Sequence, residues 1–108
     1  MKRLALVLVL ILSACQTTGG SVGITRDQVG NVYPPECRGD LSHVVADIQF
    51  VSQKRLMMQR GADQYTMGWT YKVGNPRIVY IREDLTGWRR DDVIRHELCH
   101  IVAGDWHK

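Results

Sequence analysis

Two histidines four residues apart, with a glutamate directly after the first, are the residues of this 108-residue chain whose types and spacing point most directly to chemistry: His96, Glu97 and His100. On a helix, His96 and His100 stand one turn apart on the same face. Two neutral imidazoles at that spacing can bind a single zinc ion together. Glu97 lies about 100° further round the helix. It therefore flanks such a metal, where a carboxylate can act as general base toward a water that the metal activates. Val93, Ile94, Leu98, Ile101 and Val102 are apolar, as a buried metal helix requires, and Gly104 offers a helix stop. The competing reading is an amphipathic helix with two incidental histidines.

A third ligand is needed. The helix should end near Ala103, and beyond Gly104 the chain can reverse. His107 lies three residues further on, a span of up to about 10 Å when extended, which is enough to return to the metal. Asp105 is nearer but sits at the turn itself, where its carboxylate can instead bond a ligand imidazole. Glu83 and Asp84, ahead of the helix, are the other rivals. His43 is remote in sequence and reads as an ordinary surface or core histidine. Three protein ligands leave a position for water, whereas four close a zinc site. The set His96, His100 and His107 therefore favours catalysis.

The segment His96-Glu97-Leu98-Cys99-His100 resembles the active-site helix of the zincin metallopeptidases, with His96 and His100 as ligands and Glu97 as base. The ending Gly104-x-x-His107 resembles the metzincin branch, in which a third histidine completes the site. In that branch the glycine and the third histidine follow the second histidine by about three and six residues; here the offsets are four and seven. The resemblance implies a cleft lined by an edge strand, to which a peptide substrate adds by main-chain hydrogen bonds. It also implies a tyrosine or histidine that stabilises the oxyanion, for which Tyr80 or Tyr71 is the available choice. Tyr80 and Arg82 are candidates for lining the cleft.

The N-terminus carries a different message. Lys2 and Arg3 precede an apolar run, Leu4 to Leu12, too short to span a bilayer as a permanent helix. The run ends in Leu12-Ser13-Ala14-Cys15, which resembles the lipobox of bacterial lipoproteins. The resemblance implies a signal peptide over 1–14, lipidation of Cys15 and anchoring in the cell envelope. Gln16 after the cysteine favours the periplasmic face of the outer membrane. An ordinary cleaved signal or an uncleaved anchor is the alternative. Of the 14 basic residues, removal of Lys2 and Arg3 leaves 12 against 11 acidic ones, so the net charge falls from +3 to +1. No basic block remains to suggest a nucleic-acid partner.

Residues 15–32 are Gln/Thr/Gly/Ser-rich and read as a flexible tether. Tyr33-Pro34-Pro35-Glu36-Cys37 opens a domain over 33–108, about 75 residues that bury a modest share of their surface and gain from a staple. Zinc is one staple. A Cys37–Cys99 disulfide in an oxidising compartment is another; the alternative is two separate buried thiols.

The positioning elements follow from the patterning. Ile48 and Phe50 alternate with Asp47 and Gln49, giving a strand in the second half of 43–51. Ser52 as N-cap and Gly61 as stop bound a short helix over 53–60. One long helix over 40–60 competes with both. Met57 and Met58 read as core filler. Thr66–Val73 and Arg77–Ile81 form a hairpin about Gly74-Asn75-Pro76, and Pro76 suits an edge strand. Asp91 and Asp92 fall in or before the first turn of the metal helix, where acids complement its dipole.

The expected fold is α+β: a minimal zincin-like domain in which a small, mostly antiparallel sheet packs on the helix of His96 to His100. The expected function is a lipid-anchored zinc-dependent hydrolase acting on peptide or protein substrates. A noncatalytic zinc-stabilised envelope lipoprotein and a structural lipoprotein without metal are the alternatives.

Overall fold

The structure is a computed structural model and describes residues 24–107. The signal segment, Cys15 and the first part of the expected tether lie outside the described residues.

A single-turn 3-10 helix, Pro35–Cys37, is followed by β1 (Ala46–Val51), α1 (Gln53–Met57), β2 (Gly68–Gly74), β3 (Arg77–Arg82) and α2 (Gly87–Ala103). The fold is a small α+β arrangement. Among the described residues, three strands run in the order β1-β3-β2. β2 and β3 pair antiparallel, with Thr70 opposite Val79 and Gly68 opposite Ile81. β1 and β3 pair parallel, with Ile48 opposite Val79. The sheet is thus mixed rather than mostly antiparallel. The expected hairpin is present, but its second strand is central, not an edge. Pro76 sits in the turn just before β3, so its missing N–H costs the ladder nothing.

Ser52 caps α1 as its sequence position suggested: the side chain accepts a hydrogen bond from the Arg55 N–H. The helix is shorter than expected and ends at Met57. Leu56 is its buried residue, whereas Met57 and Met58 point outward, Met58 being 74% exposed. They are surface residues and not core filler.

α2 begins a full turn before Asp91, at Gly87 behind the N-cap Thr86. Asp92 is therefore no partner for the N-terminal dipole. It ties the N-terminal segment to the helix instead, accepting hydrogen bonds from the Tyr33 hydroxyl at 3.0 Å and the Gln28 N–H at 2.9 Å.

Two apolar clusters hold the helix. Val79 and Ile81 of β3 pack with Leu85 and Val93, with Ile48, Met67, Ile94 and Ile101 around them. On the other flank Tyr33, Cys37 and Cys99 form a second cluster with Ile24, Ala103 and Trp106. Here Cys37 and Cys99 are joined as a disulfide with a Cα–Cα distance of 5.5 Å. In the chain-entropy account, a bridge across 62 residues stabilises by about 4 kcal/mol. The Arg95 guanidinium donates to the carbonyls of Cys37 and Gly39, fastening the same segment from the helix side.

The stretch from Ile24 to Asn31 does not behave as a tether. Arg26 and Val32 form an isolated antiparallel bridge. Asp27 is buried and closes the turn between them: Oδ1 accepts from the N–H groups of Val29 and Asn31, and Oδ2 accepts from the Asn31 amide at 2.7 Å. This turn lies against α2 and contributes to the site.

Candidate metal centre

The sequence of α2 places His96 and His100 one turn apart, and the chain beyond it completes the set. Gly104 takes φ +68°, a backbone conformation that glycine adopts without a side-chain clash. Its N–H donates to the His100 carbonyl at 3.0 Å, which ends the helix. The Gly104 carbonyl then accepts from the Trp106 N–H at 2.9 Å and from Nδ1–H of His100 at 2.9 Å. One peptide unit thereby orients a helix histidine and turns the tail back. Trp106 stacks on Tyr33 with ring centroids 5.0 Å apart and meets the edge of His96. The tail is pinned, and His107 reaches the helix face.

Nε2 of His107 lies 2.9 Å from Nε2 of His96 and 3.1 Å from Nε2 of His100. Among the described residues these three are the group able to hold a metal ion together. The expected alternatives do not join them. Asp105 faces Lys72 at 3.9 Å, Asp84 pairs with Arg82 at 2.6 Å beyond the end of β3, and Glu83 and His43 lie elsewhere on the surface.

The protonation pattern tests whether a cation fits. A carboxylate can only accept, so Nδ1 of His96, 2.9 Å from Oδ2 of Asp27, carries the hydrogen. A carbonyl can only accept, so Nδ1 of His100 carries one too. Both neutral imidazoles then turn bare lone pairs toward Nε2 of His107. That atom can supply one proton at most, so lone pairs face one another at about hydrogen-bond distance. Protonating His96 or His100 would relieve this, but burial lowers the pKa of both. Neighbouring histidines lower that of His96 further, against the opposing pull of Asp27. A metal ion is what three converging neutral imidazoles suit. Zinc–nitrogen bonds of about 2.0–2.1 Å in tetrahedral geometry separate the nitrogens by roughly 3.3 Å, close to the spacing here.

Asp27 is the orienting group for His96. Burial pushes its pKa up, but the hydrogen bonds from Asn31 and from His96 outweigh it, and the net shift is downward. The carboxylate is therefore ionised at neutral pH and fixes the His96 tautomer. Asp105, expected as an orienting group for a ligand imidazole, faces Lys72 instead.

Glu97 stands beside the cluster. Its Oε2 lies 3.9 Å from Nε2 of His96, while Oε1 accepts a hydrogen bond from the Thr70 hydroxyl at 2.7 Å. The residue is 6% exposed. Burial raises its pKa to about 7, against the lowering effect of the Thr70 bond. A carboxylate tuned toward neutrality and held next to three convergent imidazoles can take up and release a proton there. Gly68 makes the approach of β2 possible: a Cβ at that position would lie 2.8 Å from Cγ and 2.9 Å from Oε2 of Glu97.

Tyr71 and Tyr80 do not reach the site. They meet edge to face, with centroids 5.4 Å apart. Their hydroxyls bond Gln59 and Arg55 respectively. They occupy the sheet face opposite Thr70, Val79 and α2. Arg82 is likewise engaged with Asp84. The residues that do flank the cluster, Gly68 and Thr70, belong to β2, an edge strand.

Asp27, Thr70 and Gly68 were not foreseen from the sequence. Only Asp27 left a local trace, an acid three residues before Gly30-Asn31 that suits a turn. No protein-family model, curated protein or solved structure matches this chain.

Proposed function

We propose that this protein is a zinc-dependent hydrolase, a peptidase of zincin type, held at the bacterial cell envelope by a lipid on Cys15. The observation that carries the reading is the convergence of His96, His100 and His107 through Nε2, with the Glu97 carboxylate alongside and no fourth protein ligand among the described residues.

Zinc, when bound, polarises a carbonyl and makes a water acidic near neutral pH. His96, His100 and His107 would hold it. Thr70 keeps one Glu97 oxygen fixed and leaves the other facing the cluster. Glu97 then accepts the proton of the attacking water as its oxygen bonds to the carbonyl carbon. It returns that proton to the leaving nitrogen as the C–N bond breaks. The free edge of β2 beside Gly68 and Thr70 suits an extended peptide.

One observation favours the noncatalytic alternative. Tyr71 and Tyr80 are turned to the opposite sheet face, so neither donates to an oxyanion at the cluster. A single experiment separates the two. The purified protein is analysed for zinc and incubated with a fluorogenic peptide library, alongside Glu97→Gln. A peptidase binds one zinc per chain in both forms, and the variant loses about 10²- to 10⁴-fold in cleavage. One zinc per chain with no cleavage by the unaltered protein assigns the noncatalytic role. The anchor is tested with Cys15→Ser, which should abolish labelling by a fatty-acid probe and release the protein from membranes.

A further inference from the structure

The residue just before His100 on α2 is Cys99, and it is bonded to Cys37 across 62 residues of sequence. Both cysteines are fully buried. The segment that this bond fastens to the helix supports the histidine cluster from two directions.

One support is aromatic. Tyr33 packs in the same apolar cluster as the two cysteines and stacks on Trp106. Trp106 in turn lies against the rings of His96, His100 and His107, with centroids 5.0, 5.8 and 4.6 Å away. The other support is polar. The Tyr33 N–H donates to the Thr25 carbonyl at 2.8 Å, and Arg26 bridges Val32. These contacts hold the turn of Asp27, which orients His96.

The other ties between this segment and α2 are non-covalent. Apart from the apolar packing and the Asp27–His96 bond, Arg95 donates to the carbonyls of Cys37 and Gly39, and Asp92 accepts from Tyr33 and Gln28. A domain of this size is marginal without a staple. With the cysteines as thiols and no metal bound, both staples are missing. The arrangement that converges the imidazoles is then populated in only a fraction of chains, and the apparent zinc affinity falls by that fraction.

We infer that the Cys37–Cys99 bond is a redox gate on the metal centre: the chain takes up zinc weakly while these cysteines are thiols and tightly once they are joined. This rests on the zinc reading of the histidine cluster. The bond forms by exchange with an oxidising disulfide of a protein or small molecule. One cysteine thiolate attacks that disulfide and expels a thiol, and the second cysteine then displaces the other thiol. Two electrons and two protons leave Cys37 and Cys99, and the incoming disulfide ends as two thiols. On the export reading, a chain still in the reducing cytoplasm stays unloaded, and the metal enters after the chain reaches an oxidising compartment.

The test uses the full chain in detergent in a Cys15→Ser background, so that no third cysteine takes part. It is prepared oxidised, reduced with a phosphine, and as the paired variant Cys37→Ala, Cys99→Ala. Each form is titrated with zinc against a chromophoric chelator. Circular dichroism is followed alongside, so that a chain needing the metal to fold still yields an affinity. The reduced chain and the paired variant should bind zinc about 5- to 150-fold more weakly than the oxidised chain, the usual range of coupling between two sites. The coupling is reciprocal. At saturating zinc the bond should therefore resist reduction more strongly, by about 30 mV for each tenfold in affinity. This is read by alkylating free thiols across glutathione buffers with free zinc fixed by a chelator. Equal or tighter binding by the reduced chain, or a paired variant that binds like the oxidised chain, overturns the gate and leaves the zinc reading standing. No zinc bound by the oxidised chain overturns both.

Discussion

The carboxylate of Asp27 accepts a hydrogen bond from Nδ1 of His96 at 2.9 Å across 69 residues of sequence. It leaves Nε2 of that ring without a proton, its lone pair aimed at His107. Removing an orienting carboxylate of this kind typically lowers metal affinity by about 10- to 100-fold. Asp27→Ala should show that loss in a competition titration against a chromophoric chelator. Asn31→Ala loosens the same turn without touching His96 and should cost far less. Equal losses would make the effect one of folding alone.

His107 and Asp105 can be told apart directly. His107→Ala removes one of three converging nitrogens, whereas Asp105→Ala removes an exposed partner of Lys72. Zinc affinity should fall by orders of magnitude in the first and stay within about threefold in the second, since an exposed pair contributes under about 1 kcal/mol. The reverse order would return Asp105 to the metal.

The ionisation of Glu97 has a measurable thermodynamic signature in chelator-treated, metal-free protein. Burial raises its pKa from 4.5 to about 7. The folded state therefore binds this proton more tightly than the unfolded chain does. The stability linked to Glu97 is fully present below about pH 4.5 and is lost as pH rises through about 7. Denaturant unfolding of the unaltered protein and of Glu97→Gln should diverge over that window. The unaltered protein should lose up to a few kcal/mol relative to the variant on going from pH 4.5 to 7.5. A difference independent of pH would mean that Glu97 is not buried as described.

Gly68→Ala places a methyl group where Glu97 and Val93 already stand, at 2.8–2.9 Å. Neither neighbour is the free end of an exposed chain, so β2 and α2 must separate. Overpacking of this sort costs about 1–3 kcal/mol, which would appear as a lower denaturation midpoint. Because the methyl displaces Glu97 and none of the histidines, cleavage should fall more than zinc binding. An unchanged midpoint would show that the strand and helix are not in close contact there.

What the sequence disclosed was local. His96, Glu97, His100, Gly104 and His107 lie within twelve residues, and helix geometry plus a glycine stop suffices to bring the histidines together. Ser52 and the Gly74-Asn75-Pro76 turn were legible for the same reason. What stayed hidden depends on contacts between distant segments. Asp27 sits in polar, glycine-containing sequence that resembles a linker until α2 packs on it. Thr70 reads as an ordinary β-branched strand residue, and nothing local says that its hydroxyl faces Glu97. The sheet order was missed because a hairpin is local, while the parallel pairing of β1 with β3 spans α1 and β2. The start of α2 was placed late because Trp88, Arg89 and Arg90 are exposed or charged and supply no apolar period before Val93.

The long sequence separations that tie Asp27 to His96 and Cys37 to Cys99 set when the site comes into being as the chain folds. A helix such as α2 forms in under about a microsecond, but it carries only two of the imidazoles and leaves their tautomers unset. Contacts spanning most of the domain form slowly, because loop closure must precede the contacts that reward it. High-affinity zinc uptake during refolding should therefore keep pace with global folding and lag far behind the appearance of helix. A chain that has made its helix but not yet captured its N-terminal turn should bind added zinc weakly and exchange it readily.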